Sequence, residues 1–232
     1  MIKENISRIK QRILKVCSKI NQDPGKITII AVSKGRVLEQ IKEAIDAGIN
    51  DIGENRVQEA ILKYNEPITS EPAKQRTIRW HMVGHLQTNK VKDAVRIFDL
   101  IQSVDSVRLA EEIDKQADKI NKIQDILIEI KTSTEVRKSG LKADEAIKVI
   151  TALTKFKNIN IKGLMTIAPV VDNPEKTRPY FRLLREFRDK INKLSAVSCQ
   201  LTALSMGMTD DFEVAIEEGS NMVRLGRAIF EG

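Results

Sequence analysis

Short β-branched and aliphatic runs alternate with stretches of helical periodicity along this chain. That order predicts an α/β fold, a single (β/α)8 TIM barrel with an extra N-terminal helix. Strict alternation forces parallel strands joined by right-handed crossovers. Eight such units over about 200 residues fit a closed barrel better than an open doubly wound sheet. No Gly-x-Gly-x-x-Gly follows the first strand, which weakens the dinucleotide-binding alternative. The last strand is predicted to end at Gly226, close to Gly232, so one domain over residues 1–232 is expected, with a closing helix that is short or absent.

Ile2, Ile6, Ile9, Ile13, Val16 and Ile20 line one face of an N-terminal amphipathic helix, and Arg8, Arg12, Lys15 and Lys19 line another. An Asp23-Pro24-Gly25 turn leads into the first strand, over 27–34, an apolar run that stops on Lys34. The spacing of Val37, Leu38, Ile41, Ala44 and Ile45 predicts a helix over 37–48 that finishes at Gly48. Further strands are predicted over 49–53, 77–84, 97–103, 125–131, 159–167, 200–205 and 222–226. Helices are predicted over 56–64, 87–95, 106–120, 143–155, 174–194 and 211–218. A polar, proline-containing loop covers 65–75, and a Ser/Thr/Gly-containing loop runs to Gly140.

With 41% hydrophobic and 31% charged residues, the composition says little beyond globular. No apolar run approaches the roughly 20 residues a bilayer span needs, and residues 1–6 lack a signal-peptide core, so a cytoplasmic protein without a membrane partner is expected. Cys17 and Cys199 form no CxxC pair and suit a reducing compartment. The net charge of +7 comes from 39 basic residues interspersed with 32 acidic ones, and aromatics make up only 4%, so no nucleic-acid partner is expected. The basic face of the first helix is the nearest thing to a binding stripe, and it reads as a charged side left in water.

In such a barrel the C-terminal strand ends converge on the face that carries the site. Those ends supply Lys34, then Gly53-Glu54-Asn55, His81-Met82-Val83-Gly84, Met165-Thr166, Ser205-Met206-Gly207 and Arg224-Leu225-Gly226-Arg227. A phosphate site after the last two strands is frequent in this architecture. Here those turns offer a hydroxyl, glycines that admit backbone N–H groups to an anion, and a helix start after Asp210. An amine opposite a phosphate cradle suggests pyridoxal 5′-phosphate, whose aldehyde forms a Schiff base with lysine. Arg224 is placed to face its ring nitrogen, and a guanidinium there would keep that nitrogen unprotonated and the ring a poorer electron sink. Read by itself, Lys34 is more simply a strand-end lysine whose long stem carries its charge to water.

The segments AVSKGR (31–36), DIGENRVQEA (51–60), WHMVGHLQTNK (80–90), GLMTIAP (163–169), LSMGMTDDFEVAIEEGS (204–220) and MVRLGRAIF (222–230) resemble the pyridoxal phosphate homeostasis protein family, also called YggS/PROSC. The resemblance implies a one-domain barrel related to the N-terminal domain of bacterial alanine racemase. Such a protein binds pyridoxal phosphate without established catalysis and is associated with vitamin B6 and amino-acid balance. It further implies that Lys34 is the Schiff-base lysine, that Ser205 and the backbone at Gly226 and Arg227 hold the phosphate, and that Arg224 faces the pyridine nitrogen. Asn55, His81 and Met206 match positions lining the cofactor. Many members carry threonine after the lysine; Gly35-Arg36 in this chain bears on the rigidity and solvent access of that loop.

Several residues keep two readings. Asn55 is a helix N-cap or a cofactor contact. His81 and His85 straddle a strand end and Gly84 with no HExxH pattern, so no metal site is expected. Asp210 followed by Glu213 reads as a capping-box-like helix start rather than a catalytic pair. Lys138 is a solvated loop lysine or a second amine at the pocket mouth. Two functions compete: a non-catalytic carrier that passes the cofactor to pyridoxal-phosphate-dependent apoenzymes by transient contact, and an amino-acid racemase. Racemisation needs a base on each face of the cofactor plane. In the racemase resemblance the opposing tyrosine comes from an extra C-terminal domain of a partner subunit, while Tyr64 and Tyr180 lie at no predicted strand end. A monomeric carrier is the expectation.

Overall fold

The computed structural model describes residues 1–69, 77–133, 140–194 and 199–231. Its strands are β1 (Thr28–Val32), β2 (Asp51–Glu54), β3 (Arg79–Met82), β4 (Leu100–Val104), β5 (Gln124–Glu129), β6 (Ile159–Met165), β7 (Ala203–Ser205) and β8 (Met222–Leu225). They form a closed parallel barrel in sequential order, and β8 pairs back on β1 with Ile30 opposite Arg224. The helices are α1 (Ile2–Lys19), α2 (Leu38–Asp46), α3 (Val57–Tyr64), α4 (Val91–Ile97), α5 (Val107–Asp118), α6 (Ala143–Leu153), α7 (Arg178–Asn192), α8 (Phe212–Glu217) and the short α9 (Arg227–Phe230). No helix among the described residues is long and apolar enough to cross a membrane.

Strand alternation sorts the side chains. Ile52, Trp80, Met82, Ile101, Ile126 and Val223 point outward into the core shared with the helices. Leu100, Leu127, Met165 and Ala203 form a small apolar cluster within the barrel. The other inward positions of β2, β3, β4, β7 and β8 carry Asp51, His81, Gln102, Ser205 and Arg224, all buried.

The strands are shorter than the apolar runs suggest, and at β1 the difference matters. The strand stops at Val32, and the Arg36 N–H donates to the Ser33 carbonyl at 3.0 Å to close a turn in which Gly35 has φ +67°. Lys34 therefore stands in a turn beyond the strand instead of on its last residue. A β-branched residue would be strained at that φ, which suits glycine at position 35.

The expected capping box at α8 is replaced by tertiary pairs. Asp210 pairs with Arg227, and Glu213 receives a two-pronged contact from Arg12 at 3.1 and 2.9 Å. The helix is capped by Asp211 without a side-chain cap bond; its Oδ1 accepts the Met208 N–H at 2.6 Å. Arg12 also lies 4.5 Å over the Phe212 ring, so part of the basic face of α1 is used in packing. The opposite face of α1 buries Ile2, Ile6, Ile9, Ile13 and Val16 against the barrel's outer layer, and Asn5 Nδ2 donates to the Ile229 carbonyl of α9 at 3.0 Å. Ile13→Ala is expected to cost about 2–4 kcal/mol, the range for emptying a buried aliphatic site, read as a lower urea midpoint with an unchanged slope.

Candidate functional site

Beyond the C-terminal strand ends lies a cavity of about 440 Å³, walled by Val32, Lys34, Asn55, Val83, Arg224 and Gly226 among others. Lys34 is exposed at its rim, and among the described residues its ammonium makes no hydrogen bond or ion pair. The turn that carries it is held on every side. The Gly35 N–H donates to Glu59 Oε2 at 3.2 Å, while Arg36 pairs with Glu231 and lies 5.5 Å over the Phe230 ring. Underneath, buried Ser33 donates its hydroxyl to Glu54 Oε1 at 2.5 Å, and Lys63 Nζ donates to the Ser33 carbonyl at 2.6 Å and to Glu54 Oε1 at 2.5 Å. Gly35 and Arg36 thus tie the loop down.

Across the cavity Arg224 is only 4% exposed. Its Nη1 donates to Ser205 Oγ at 2.6 Å and its Nη2 to the Thr166 carbonyl at 2.8 Å. Burial lowers its pKa to about 10 against the pull of Glu129 and Asp211, which leaves it cationic at neutral pH. Gly226 adds no side chain beside it: a Cβ placed there would come no closer than 3.5 Å, to the Val32 carbonyl, so the glycine keeps the wall open. An unpartnered amine, a fixed cation and an open glycine wall suit a small anionic ligand that reacts with amines.

The expected site residues separate into two groups. Lys34, Asn55, Arg224, Gly226 and Arg227 line the cavity. His81 and Ser205 lie within the barrel behind Arg224, and the Met206 side chain, one residue out of phase with Ser205, is buried outward against the helices. Asn55 does not cap α3; that position is Arg56, with no side-chain cap bond. His85 is exposed, 3.7 Å from Asp105, and Tyr64 stacks edge-on against Trp80 at 5.9 Å. Lys138 lies outside the described residues.

Residues the sequence did not single out complete the interior. Gln102 joins Ser205 to His81, with Ser205 Oγ 2.6 Å from its Oε1 and His81 Nδ1 3.1 Å from its Nε2. His81 Nε2 is 2.8 Å from Asp51 Oδ1, and Arg79 Nη2 donates to Asp51 Oδ2 at 2.8 Å. Burial pushes the Asp51 carboxyl up, and His81 and Arg79 more than offset it, leaving it below the usual range. Glu129 faces a smaller adjoining cavity of about 240 Å³ that shares Asn55, Val83 and Ile167 with the first. Burial and the neighbouring Asp105 push it up to about 7, against the pull of Arg224.

Because Glu129 holds its proton up to about 7 in the fold but only to an ordinary 4.5 when unfolded, the native state binds more protons between those values, and stability falls as pH rises through that window. Glu129→Gln removes the titration. Between pH 5 and pH 8, wild-type protein free of ligand is expected to lose on the order of 2–3 kcal/mol relative to the variant, measured by urea unfolding at both pH values.

Residues 2–232 match the family model described as alanine racemase, N-terminal domain. A pyridoxal phosphate homeostasis protein of Aquifex aeolicus is 41% identical over 227 residues, which cover 98% of this chain and 96% of the relative. The structure of PipY from Synechococcus elongatus with pyridoxal phosphate bound superposes with a TM-score of 0.82 at 32% identity, covering 99% of this chain and 100% of that one. Alanine racemase of Clostridium difficile shares the fold at a TM-score of 0.72 and 18% identity, and this chain spans 59% of its length. The chain therefore belongs to the alanine racemase N-terminal domain family and, within it, to the pyridoxal phosphate homeostasis proteins.

Proposed function

We propose that this chain is a cytoplasmic, one-domain monomer that binds pyridoxal 5′-phosphate reversibly at Lys34 and serves its homeostasis, passing the cofactor to dependent apoenzymes by transient contact. The observation that carries the reading is the free Lys34 amine facing the anchored Arg224 cation across one cavity, in a chain whose full-length structural relative is described with pyridoxal phosphate bound. When bound, the cofactor supplies an aldehyde that joins reversibly to a primary amine. Lys34 offers that amine, and the clamped turn keeps it at the cavity rim. Arg224 presents its charge to the ring nitrogen and, cationic at neutral pH and far more basic than a pyridine, donates a hydrogen bond without transferring its proton. The backbone at Gly226 and Arg227 takes the phosphate, with Asn55 on the facing wall.

An amino-acid racemase is the competing reading. Lys34 serves one face of the cofactor plane only, and Tyr64 and Tyr180 line neither cavity described here, which supports the carrier. Protein incubated with pyridoxal phosphate is expected to gain a visible band, and borohydride to fix the added mass on Lys34. Lys34→Ala should lose both, and a variant as yellow as wild type would sink the assignment. In deuterated water with L-alanine or L-serine, Cα exchange should run no faster than with free cofactor; stereoinversion at turnover would establish the racemase instead.

A further inference from the structure

The buried residues behind Arg224 form a continuous run across the barrel interior, from Arg79 and Asp51 at the starts of β3 and β2 to Arg224 on β8. Both ends set its direction. A guanidinium only donates and a carboxylate only accepts. Arg224 Nη1 donates to Ser205 Oγ, so the single hydroxyl proton of Ser205 goes to Gln102 Oε1. The amide Nε2 then faces His81 Nδ1, which must be the unprotonated ring nitrogen, and His81 Nε2–H donates to Asp51 Oδ1. Turning the Gln102 amide over would set its oxygen against the His81 lone pair and leave the Ser205 proton without an acceptor along the run. All of Asp51, His81, Gln102, Ser205 and Arg224 are buried, where an unpaired polar atom is costly, so one arrangement is selected.

We propose that His81 and Gln102 are positioning residues: through Ser205 they hold the Arg224 guanidinium in one orientation, and so set the contact Arg224 makes with the ring of the bound cofactor. A serine hydroxyl by itself is free to present either its proton or its lone pairs to a neighbour. Here Gln102 draws the proton away, and Ser205 offers Arg224 lone pairs alone, while the Thr166 carbonyl holds the other nitrogen. The same polarity spends the only proton Ser205 could give a phosphate, so Ser205 itself donates none. This inference rests on the proposed binding of pyridoxal phosphate at Lys34.

The test compares full-length variants loaded with pyridoxal phosphate, by affinity and by the wavelength of the bound visible band. Gln102→Met and His81→Phe are expected to weaken binding about tenfold, the worth of one charge-assisted hydrogen bond, and to move the band. His81→Asn, which keeps an acceptor oxygen toward Gln102, should bind within about twofold of wild type with the band in place, a rescue that a purely space-filling role does not give. Nitrogen-15 spectra of the wild-type imidazole should show His81 protonated on Nε2 and bare on Nδ1. A proton on Nδ1 overturns the proposal even if His81→Phe fails to fold, and so does a Gln102→Met protein with wild-type affinity and band. A wild-type protein that acquires no band overturns the cofactor reading instead.

Discussion

A cation buried in the middle of the barrel is the constraint to which the rest of the interior answers. Removing a charge from water costs several kcal/mol unless hydrogen bonds and counter-charges replace the hydration. Around Arg224 they do: the Ser205 hydroxyl and the Thr166 carbonyl accept its hydrogen bonds, and Asp211 and, once ionised, Glu129 supply opposite charge. Each of these groups then needs partners of its own. The need passes from Ser205 to Gln102, from Gln102 to His81 and from His81 to Asp51, and it ends where Arg79 reaches solvent. The interior is polar along that path because one charged residue sits at its end.

The turn carrying Lys34 obeys the opposite requirement. Its amine is exposed, and the fixing is done by its neighbours in sequence: Ser33 from below, Gly35 through Glu59, and Arg36 through Glu231 and Phe230. Lys63 and Glu54 form a buried ion pair at the base of this arrangement. Rigidity around a free nucleophile lowers the entropy lost when it captures a ligand while leaving the group itself unencumbered.

Most of the fold was legible in the sequence because strand and helix periods alternate without interruption and each strand's apolar run is bounded by turn residues. The limits of the elements were less so. Ser33 and Lys34 extend the run 27–34 chemically, yet the glycine that follows takes the backbone out of the sheet at Val32. The capping-box reading failed because Glu213 meets Arg12 of α1 and Asp210 meets Arg227, partners invisible to a local pattern. Of the residues that line the larger cavity, Lys34, Arg224 and Gly226 were recoverable from strand-end positions and from the family resemblance. Met206 was placed against period-two alternation, which already sends it opposite to Ser205. Gln102 and Glu129 did carry a signal, as polar residues beside the apolar runs of β4 and β5, but only the closed sheet shows which partners they reach.

The pairing of β8 with β1 also has a consequence in time. The amine and the cation come from opposite ends of the chain, and Ile30 meets Arg224 only at ring closure. Contacts so far apart in sequence are entropically the most expensive to form and raise the contact order of the whole fold. During synthesis, Lys34 emerges long before the strand that will face it, so no partial chain that stops short of β8 has a pocket to offer. The cavity is thereby restricted to chains that have completed β8.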